Sequence, residues 1–235
     1  MLRRLLLTAI VAGSVGGLAI TLLQLQTVVP MILAAEAFED GAPPAPAIET
    51  AAHDHQAHQH AAAPWQPADG AERTVVTAAA NILVGIGFSM LLVACFTLRG
   101  RPVGFAQGLL WGLAGYAAFA VAPALGLPPE LPGTFAAPLV DRQAWWLGTV
   151  AATAAGLALI VFVRAPWAKA LGGALLLVPH LVGAPHPDAE GTLAPPELAD
   201  AFILASLASA AVLWLGLGGL NGWLFGRWGA QAQQT

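Results

Sequence analysis

Four of the chain's six histidines stand close together, within residues 52–60. His53, His55, His58 and His60 place imidazole rings at every second or third position. Imidazole is a good ligand for Zn, Cu, Ni and Co ions, and four rings on a short chain can wrap one divalent ion without a preformed site. Binding needs neutral rings, so it competes with protons near pH 6.5. We predict a metal-capturing segment of low selectivity; a low-complexity tract that tolerates histidine is the alternative.

The two remaining histidines lie in the motif Pro179-His-Leu-Val-Gly-Ala-Pro-His186-Pro187. An ionisable side chain in an apolar segment is costly, and by default it marks a functional site. The prolines also free backbone carbonyls, as in the interrupted helices of transport sites. We therefore predict that His180 lines an ion pathway, with an interfacial histidine bonded to a backbone carbonyl as the alternative. His186 is a second metal candidate, expected outside the bilayer.

A few other polar residues could handle a cation. Glu36 and Glu39 lie one helical turn apart after the first apolar stretch, and Asp200 stands at the head of the last. Together they could form an acidic outer vestibule that concentrates cations. Asn81, inside an apolar stretch, is a further pathway candidate, with an interhelical hydrogen bond as its alternative role.

Sequence motifs for the common catalytic sites are missing from the 235 residues. The sequence contains no Gly-rich phosphate loop, no His-Glu-x-x-His motif and no Gly-x-Ser-x-Gly elbow. We therefore predict no catalytic residues and no prosthetic group. The protein is expected not to be an enzyme.

The composition is that of a membrane protein. Hydrophobic residues make up 57% and charged residues 9% of the chain, with a mean hydropathy of +0.71. Soluble domains carry roughly 25% charged residues. We predict an all-α, polytopic membrane helix bundle that forms a single domain over residues 1–235, with lipid rather than nucleic acid as its surroundings. The single cysteine, Cys95, lies in an apolar run and is expected to be a small core residue.

Apolar stretches long enough to cross a bilayer, which takes about 20 residues, set the predicted topology. The candidates are residues 5–33, 74–98, 103–125, 143–163, 170–184 and 198–225. The first is about twice as long as a signal-peptide core and is expected to be an uncleaved span. The fifth is short and contains Pro179, so it is a short span, a broken helix or a re-entrant segment. The prediction is six transmembrane helices, or five if this segment does not cross.

Charge placement favours six crossings. With six, seven of the nine Lys and Arg residues fall on the side of the termini, and only Arg73 and Arg142 fall on the other. Positive residues accumulate on the cytoplasmic side, so both termini are predicted to be cytoplasmic. The histidine segment then belongs to a disordered periplasmic loop, at about residues 35–73, of a bacterial inner-membrane protein.

Glycines recur at four-residue spacing within three of these stretches. Gly13 and Gly17 mark the first, and the longer stripes are Gly104, Gly108 and Gly112, and Gly218, Gly222 and Gly226. Small residues at this spacing allow membrane helices to approach closely. We predict close-packing faces there.

Several segments together resemble one known family. They are Leu25-Gln-Thr-Val-Val-Pro30, Gly126-Leu-Pro-Pro-Glu-Leu-Pro-Gly133, Arg142-Gln-Ala-Trp-Trp146 and Pro179-His-Leu-Val-Gly-Ala-Pro185. The chain resembles, over nearly its whole length, the probable cobalt transporter subunits of the CbtA type. The resemblance implies import of Co²⁺, with Ni²⁺ as an alternative, and a small single-span partner subunit that carries its own histidines. A homo-oligomer is left open. The resulting hypothesis is an importer subunit; a metal-buffering protein that hands ions to a separate permease is the alternative.

Overall fold

The computed structural model describes residues 2–41, 67–189 and 191–231. Over these residues the chain is built of α-helices, with one isolated β-bridge, and the all-α prediction is confirmed. The helices are α1 (Leu2–Gln26), α2 (Val28–Asp40), α3 (Ala71–Arg99), α4 (Phe105–Ala124), α5 (Leu139–Phe162), α6 (Pro166–Val182) and α7 (Pro196–Gln231).

Five of the described helices are long and apolar enough to cross a membrane: α1, α3, α4, α5 and α7. The polytopic helix bundle is therefore confirmed. Helix α6 has 17 residues, which at 1.5 Å per residue span about 25 Å, somewhat less than the roughly 30 Å hydrocarbon layer. It runs antiparallel to α5, since Trp145 near the start of α5 contacts His180 near the end of α6.

Helix α6 is not interrupted at Pro179. The proline removes one hydrogen bond, to the carbonyl of Leu175, but the helix continues to Val182 and ends at Gly183, where φ is +85°. Pro179 is buried, and its carbonyl accepts a hydrogen bond from Trp145 Nε1 at 3.2 Å. Packing against α5 thus holds the last turn together, and the described geometry is that of a short, continuous helix.

The first predicted span is in fact two helices, which meet at Thr27. Pro30 has no N–H for the carbonyl of Gln26, so the helical ladder is interrupted there. Thr27 has a distorted helical geometry, with φ −119° and ψ −67°, and its hydroxyl donates to the Leu23 carbonyl at 2.9 Å. After Thr27 the chain continues as a separate helix, α2.

The loop predicted for residues 35–73 is shorter than expected at both ends. Helix α2 continues to Asp40 and α3 begins at Ala71. Val28 and Ala35 of α2 are buried in a cluster with Leu131 and Phe202. Burial of this face stabilises the helix beyond the point where the sequence alone suggested disorder.

Close backbone contacts at glycine join α1 to α3 and α4 to α7. A Cβ added to Gly17 would lie 2.5 Å from Ile82 Cα, and one on Gly218 would lie 2.8 Å from Gly112 Cα. Real Cβ atoms do not approach backbone so closely. The predicted close-packing faces are confirmed, and α1, α3, α4 and α7 form one tightly packed body.

Helices α5 and α6 form a hairpin beside this body. Their own contact is a glycine pair: a Cβ on Gly156 would lie 2.7 Å from the carbonyl oxygen of Gly172, and the reverse also holds. The hairpin meets the body chiefly along the second half of α4. The chain is thus a four-helix body and a two-helix hairpin with a seam between them.

Basic residues gather at one end of the bundle. Arg4 Nη1 donates to the Trp228 carbonyl at 2.9 Å, which puts both chain ends on one side. Arg99 lies over the Phe162 ring at the same end, 4.9 Å from its centroid. Arg73 and Arg142 belong to the opposite end, which we call the loop end. That the loop end faces the periplasm remains a prediction.

Candidate functional site

The predicted histidine ligands are not brought together by the described residues. His53, His55, His58 and His60 lie outside them. His180 is half-buried in the last turn of α6, with its ring edge-on to Trp145 at a centroid distance of 6.1 Å. His186 is exposed in the connection between α6 and α7. In the described parts of the chain, no three His, Cys, Asp or Glu side chains lie close enough to hold a metal.

The three residues of the predicted acidic vestibule do not form one site. Glu36 accepts two hydrogen bonds from Arg73, at 2.7 Å and 3.0 Å, so a neighbouring cation already offsets its charge. Glu39 and Asp69 line a cleft of about 540 Å³ beside this pair. Asp200, near the start of α7, is exposed and does not line that cleft.

Asn81 joins two helices. Its Nδ2 donates to Thr21 Oγ1 at 3.0 Å and to Gln24 Oε1 at 2.8 Å, both on α1. These contacts match the interhelical hydrogen bond that the sequence offered as the alternative to a pathway role.

A larger cleft of about 680 Å³ opens at the loop end, in the seam between the body and the hairpin. The second half of α4, the α4–α5 connection, the first turns of α5 and the middle of α7 form its walls. Its polar lining residues are Glu130, Arg142, Gln143 and Ser206. Ser206 lies about 15 Å along α7 from Pro196, at 1.5 Å per residue. The cleft therefore extends about three helical turns along α7 from the loop-end start of that helix.

An ion pair lies inside this larger cleft, which we call the main cleft. Arg142 Nη2 donates to Glu130 Oε2 at 2.7 Å, and the two side chains are 30% and 25% exposed. The Nε of Arg142 is buried and has no hydrogen-bond partner among the described residues. The guanidinium of Arg142 thus retains a buried, unused donor, whereas both Nη atoms of Arg73 donate to the carboxylate oxygens of Glu36.

The α4 wall of the main cleft contains a π-helical turn, Ala117–Val121. Pro123 follows it and cannot donate to the Phe119 carbonyl, so a regular α-helical ladder is not available there. Such turns are frequent at functional sites. Phe119 lies in this turn and lines the cleft, and behind it the ring meets Phe88 at 5.2 Å and Trp214 at 5.1 Å between centroids. These rings close the inner end of the cleft.

Two adjacent tryptophans near the start of α5 face in different directions, one toward α6 within the hairpin and one toward the main cleft in the seam. Successive residues of an α-helix point about 100° apart. Trp145 contacts α6 through Pro179 and His180, whereas Trp146 lines the main cleft and contacts Phe119 at 6.0 Å. His180 is therefore separated from the main cleft by α5 and does not line it.

The sequence matches the family described as "Probable cobalt transporter subunit (CbtA)" over residues 2–226. The chain belongs to this family. Searches of curated proteins and of solved structures gave no match. Together with the apolar helices, CbtA membership makes this a multi-pass membrane protein of a cobalt transport system, and the description as a subunit implies a partner.

Sequence reasoning missed the main cleft, although its residues lie in the segments that carry the CbtA resemblance. Glu130 stands in Gly126-Leu-Pro-Pro-Glu-Leu-Pro-Gly133, and Arg142 begins Arg142-Gln-Ala-Trp-Trp146. Arg142 was treated only as a charge outside the membrane, and Glu130 was not among the site candidates. A glutamate in a proline-rich turn, followed by an arginine at a helix start, was the usable pattern.

Proposed function

We propose that this chain is the membrane subunit of a divalent-metal import system, with Co²⁺ as its cargo and Ni²⁺ as the alternative. The observation that carries the proposal is the CbtA match over residues 2–226, which extends across all the helices of spanning length. In this proposal the chain performs no catalytic step. It lies in a bacterial inner membrane with the loop end outside and associates with a small single-span subunit bearing histidines of its own.

The histidine segment is proposed to capture the ion in the periplasm. Its two flanking helices are held together by the Glu36–Arg73 ion pair, at the end of the bundle where the main cleft opens. Histidines tethered there can reach the openings at this face, and the membrane potential supplies about 2.3 kcal/mol per charge per 100 mV for inward movement.

The first test replaces His53, His55, His58 and His60 together with alanine. We expect the cobalt concentration for half-maximal uptake to rise about tenfold, with the maximal rate nearly unchanged, because a tethered capture site raises local concentration but is not the pathway. Radioactive cobalt uptake is measured in cells that carry this chain with its partner. Replacing the four neighbouring residues Gln56, Ala57, Gln59 and Ala61 with serine is the matched control. Loss of the maximal rate would contradict a capture role.

His180 is tested separately, by His180→Ala and by His180→Gln. If His180 carries the ion, both variants lower the maximal uptake rate several-fold, while the loop histidines still set the half-maximal concentration. The exposed His186→Ala is the control, since the structure places that residue outside the helices. Unaltered uptake in the His180 variants would remove this residue from the pathway.

A metal-buffering protein that hands ions to a separate permease is the second candidate. It is favoured by one observation: no three-ligand cluster occurs in the described parts of the chain. If this candidate is correct, the isolated loop binds cobalt, and vesicles that contain the purified chain and its partner show no cobalt flux. Flux in such vesicles supports the importer.

A further inference from the structure

We propose that the main cleft holds a binding site for a hydrated divalent cation, in which the Glu130 carboxylate supplies the negative charge and accepts hydrogen bonds from the ion's waters, and Arg142 occupies the cation's place when no ion is bound. The inference rests on the proposed transport function and names where, within the spanning part of the bundle, the cargo is held. Neither residue belongs to the histidine and acidic candidates drawn from the sequence.

Location supports this site. The main cleft has a volume of about 680 Å³ and lies in the seam between the body and the hairpin. Elsewhere the body is closed by backbone contacts at glycine, as at Gly17 and Gly218. An ion that enters from the loop end finds its way inward along this seam, because the glycine-packed interfaces leave no room for it.

The size of the cleft allows an ion that keeps its water shell, and four polar residues supply the polar part of an otherwise mainly apolar lining. Six waters at about 30 Å³ each occupy roughly 180 Å³, so a hexahydrated ion fits with space to spare. Cations such as Co²⁺ accept oxygen ligands in octahedral arrangement. The carboxylate of Glu130, the amide oxygen of Gln143 and the hydroxyl of Ser206 are acceptors for the hydrogens of bound water. Binding of this kind is weak enough for the ion to move on.

The ion pair in the cleft is held by a single hydrogen bond, which favours its separation. One hydrogen bond, from Nη2, joins Arg142 to Glu130, and the buried Nε of Arg142 lacks a partner. The Glu36–Arg73 pair of similar exposure is bidentate, which gives it stronger and more directional bonding. A divalent ion carries twice the charge of the guanidinium, and its waters can donate to the carboxylate, so it can compete with Arg142 for Glu130. Arg142, once displaced, can return and release the ion.

The test measures equilibrium binding of radioactive cobalt to the full-length chain in lipid nanodiscs, with the four loop histidines replaced by alanine to remove their contribution. Glu130→Gln is expected to weaken binding about tenfold or more, since among the described residues Glu130 supplies the only carboxylate that lines the cleft. Arg142→Gln is expected to tighten binding by a similar factor, since it removes the competing cation. Glu197→Gln is the matched control, because Glu197 is exposed in the first turn of α7 and lines neither cleft, and its binding should equal that of the parent.

Opposite effects of the two cleft substitutions carry the inference; equal binding in Glu130→Gln and the parent overturns it. If Glu130→Gln is poorly folded, the double variant Glu130→Gln/Arg142→Gln leaves neither charge unpaired, and it should fold and still bind weakly. A phospholipid headgroup held at Arg142 is the competing occupant. In that case Arg142→Gln loses co-purified lipid and leaves cobalt binding unchanged, which also overturns the cation site.

Cobalt uptake by cells, compared with the binding measurements, separates this inference from the proposed function. If cells with the parent chain and its partner take up cobalt, and cells with the Glu130→Gln variant take it up equally well, the transport function is supported and the proposed site is ruled out. Absence of uptake in the parent removes the transport function, whereas the binding measurements still decide whether the cleft holds a cation.

Discussion

Gly218→Ala is expected to destabilise the folded bundle by about 3 kcal/mol or more, at the upper end for overpacked interfaces. An added Cβ would lie 2.8 Å from both the N and the Cα of Gly112 and would also overlap the Gly108 carbonyl. The neighbouring atoms are backbone, so no side chain can move aside. Helices α4 and α7 would have to separate along their whole contact. The melting temperature of purified protein in detergent, followed by loss of monodispersity, measures the effect.

Gly216→Ala is the matched control on the same helix. Gly216 is exposed, and a Cβ there would have no other atom within 4 Å. The substitution also replaces glycine by alanine in a helix interior, which by itself is mildly favourable. We expect a melting temperature equal to or slightly above that of the parent. Equal melting temperatures for the two variants would contradict the close α4–α7 approach.

These glycines show how much of the fold could be predicted from sequence. Hydropathy and length located the apolar helices, because the bilayer imposes both requirements directly on the sequence. The four-residue spacing of Gly108 and Gly112, and of Gly218 and Gly222, predicted packing faces. It did not say which face meets which, since pairing depends on the whole arrangement of helices.

The errors in the prediction came from proline. Pro30 interrupts the first apolar stretch, although hydropathy continues across it, so α1 and α2 were taken as one span. Pro179 left three possibilities open for α6, a short span, a broken helix or a re-entrant segment, and burial and the Trp145 hydrogen bond produce a short, continuous helix. A proline removes one backbone hydrogen bond in either place. Whether the helix ends there depends on what its neighbours supply, and sequence does not show this.

The candidate site was less predictable than the fold. Histidine spacing is visible in sequence because its members are close along the chain. Glu130, Arg142 and Ser206 come from the α4–α5 connection, α5 and α7, and only the folded seam brings them to one cleft. Local pattern therefore suggested capture outside the membrane, whereas three-dimensional structure was needed to suggest where an ion could be held within it.

Trp214→Ala is expected to cost about 3 kcal/mol of stability and to open the inner end of the main cleft. Trp214 is 3% exposed and packs against Phe88 and Phe119, with centroid distances of 4.6 Å and 5.1 Å. In a bilayer the lipid is as apolar as the core, so the loss comes from packing and the cavity rather than from transfer out of water. The effect therefore lies at the lower end of the range for soluble cores. The melting temperature in nanodiscs measures it.

The functional consequence of Trp214→Ala separates a packing role from a closing role. Without the indole, Phe119 can turn away from the cleft, and we expect passive cobalt entry into vesicles that contain this chain to increase several-fold. Trp167→Ala, at a residue that is 65% exposed, should change stability by no more than about 0.5 kcal/mol and leave vesicles tight. A Trp214→Ala protein that melts early but stays tight would make Trp214 a core residue only. The barrier to the ion would then lie deeper in the seam, near the contact of Trp111 with Phe162 at 5.7 Å.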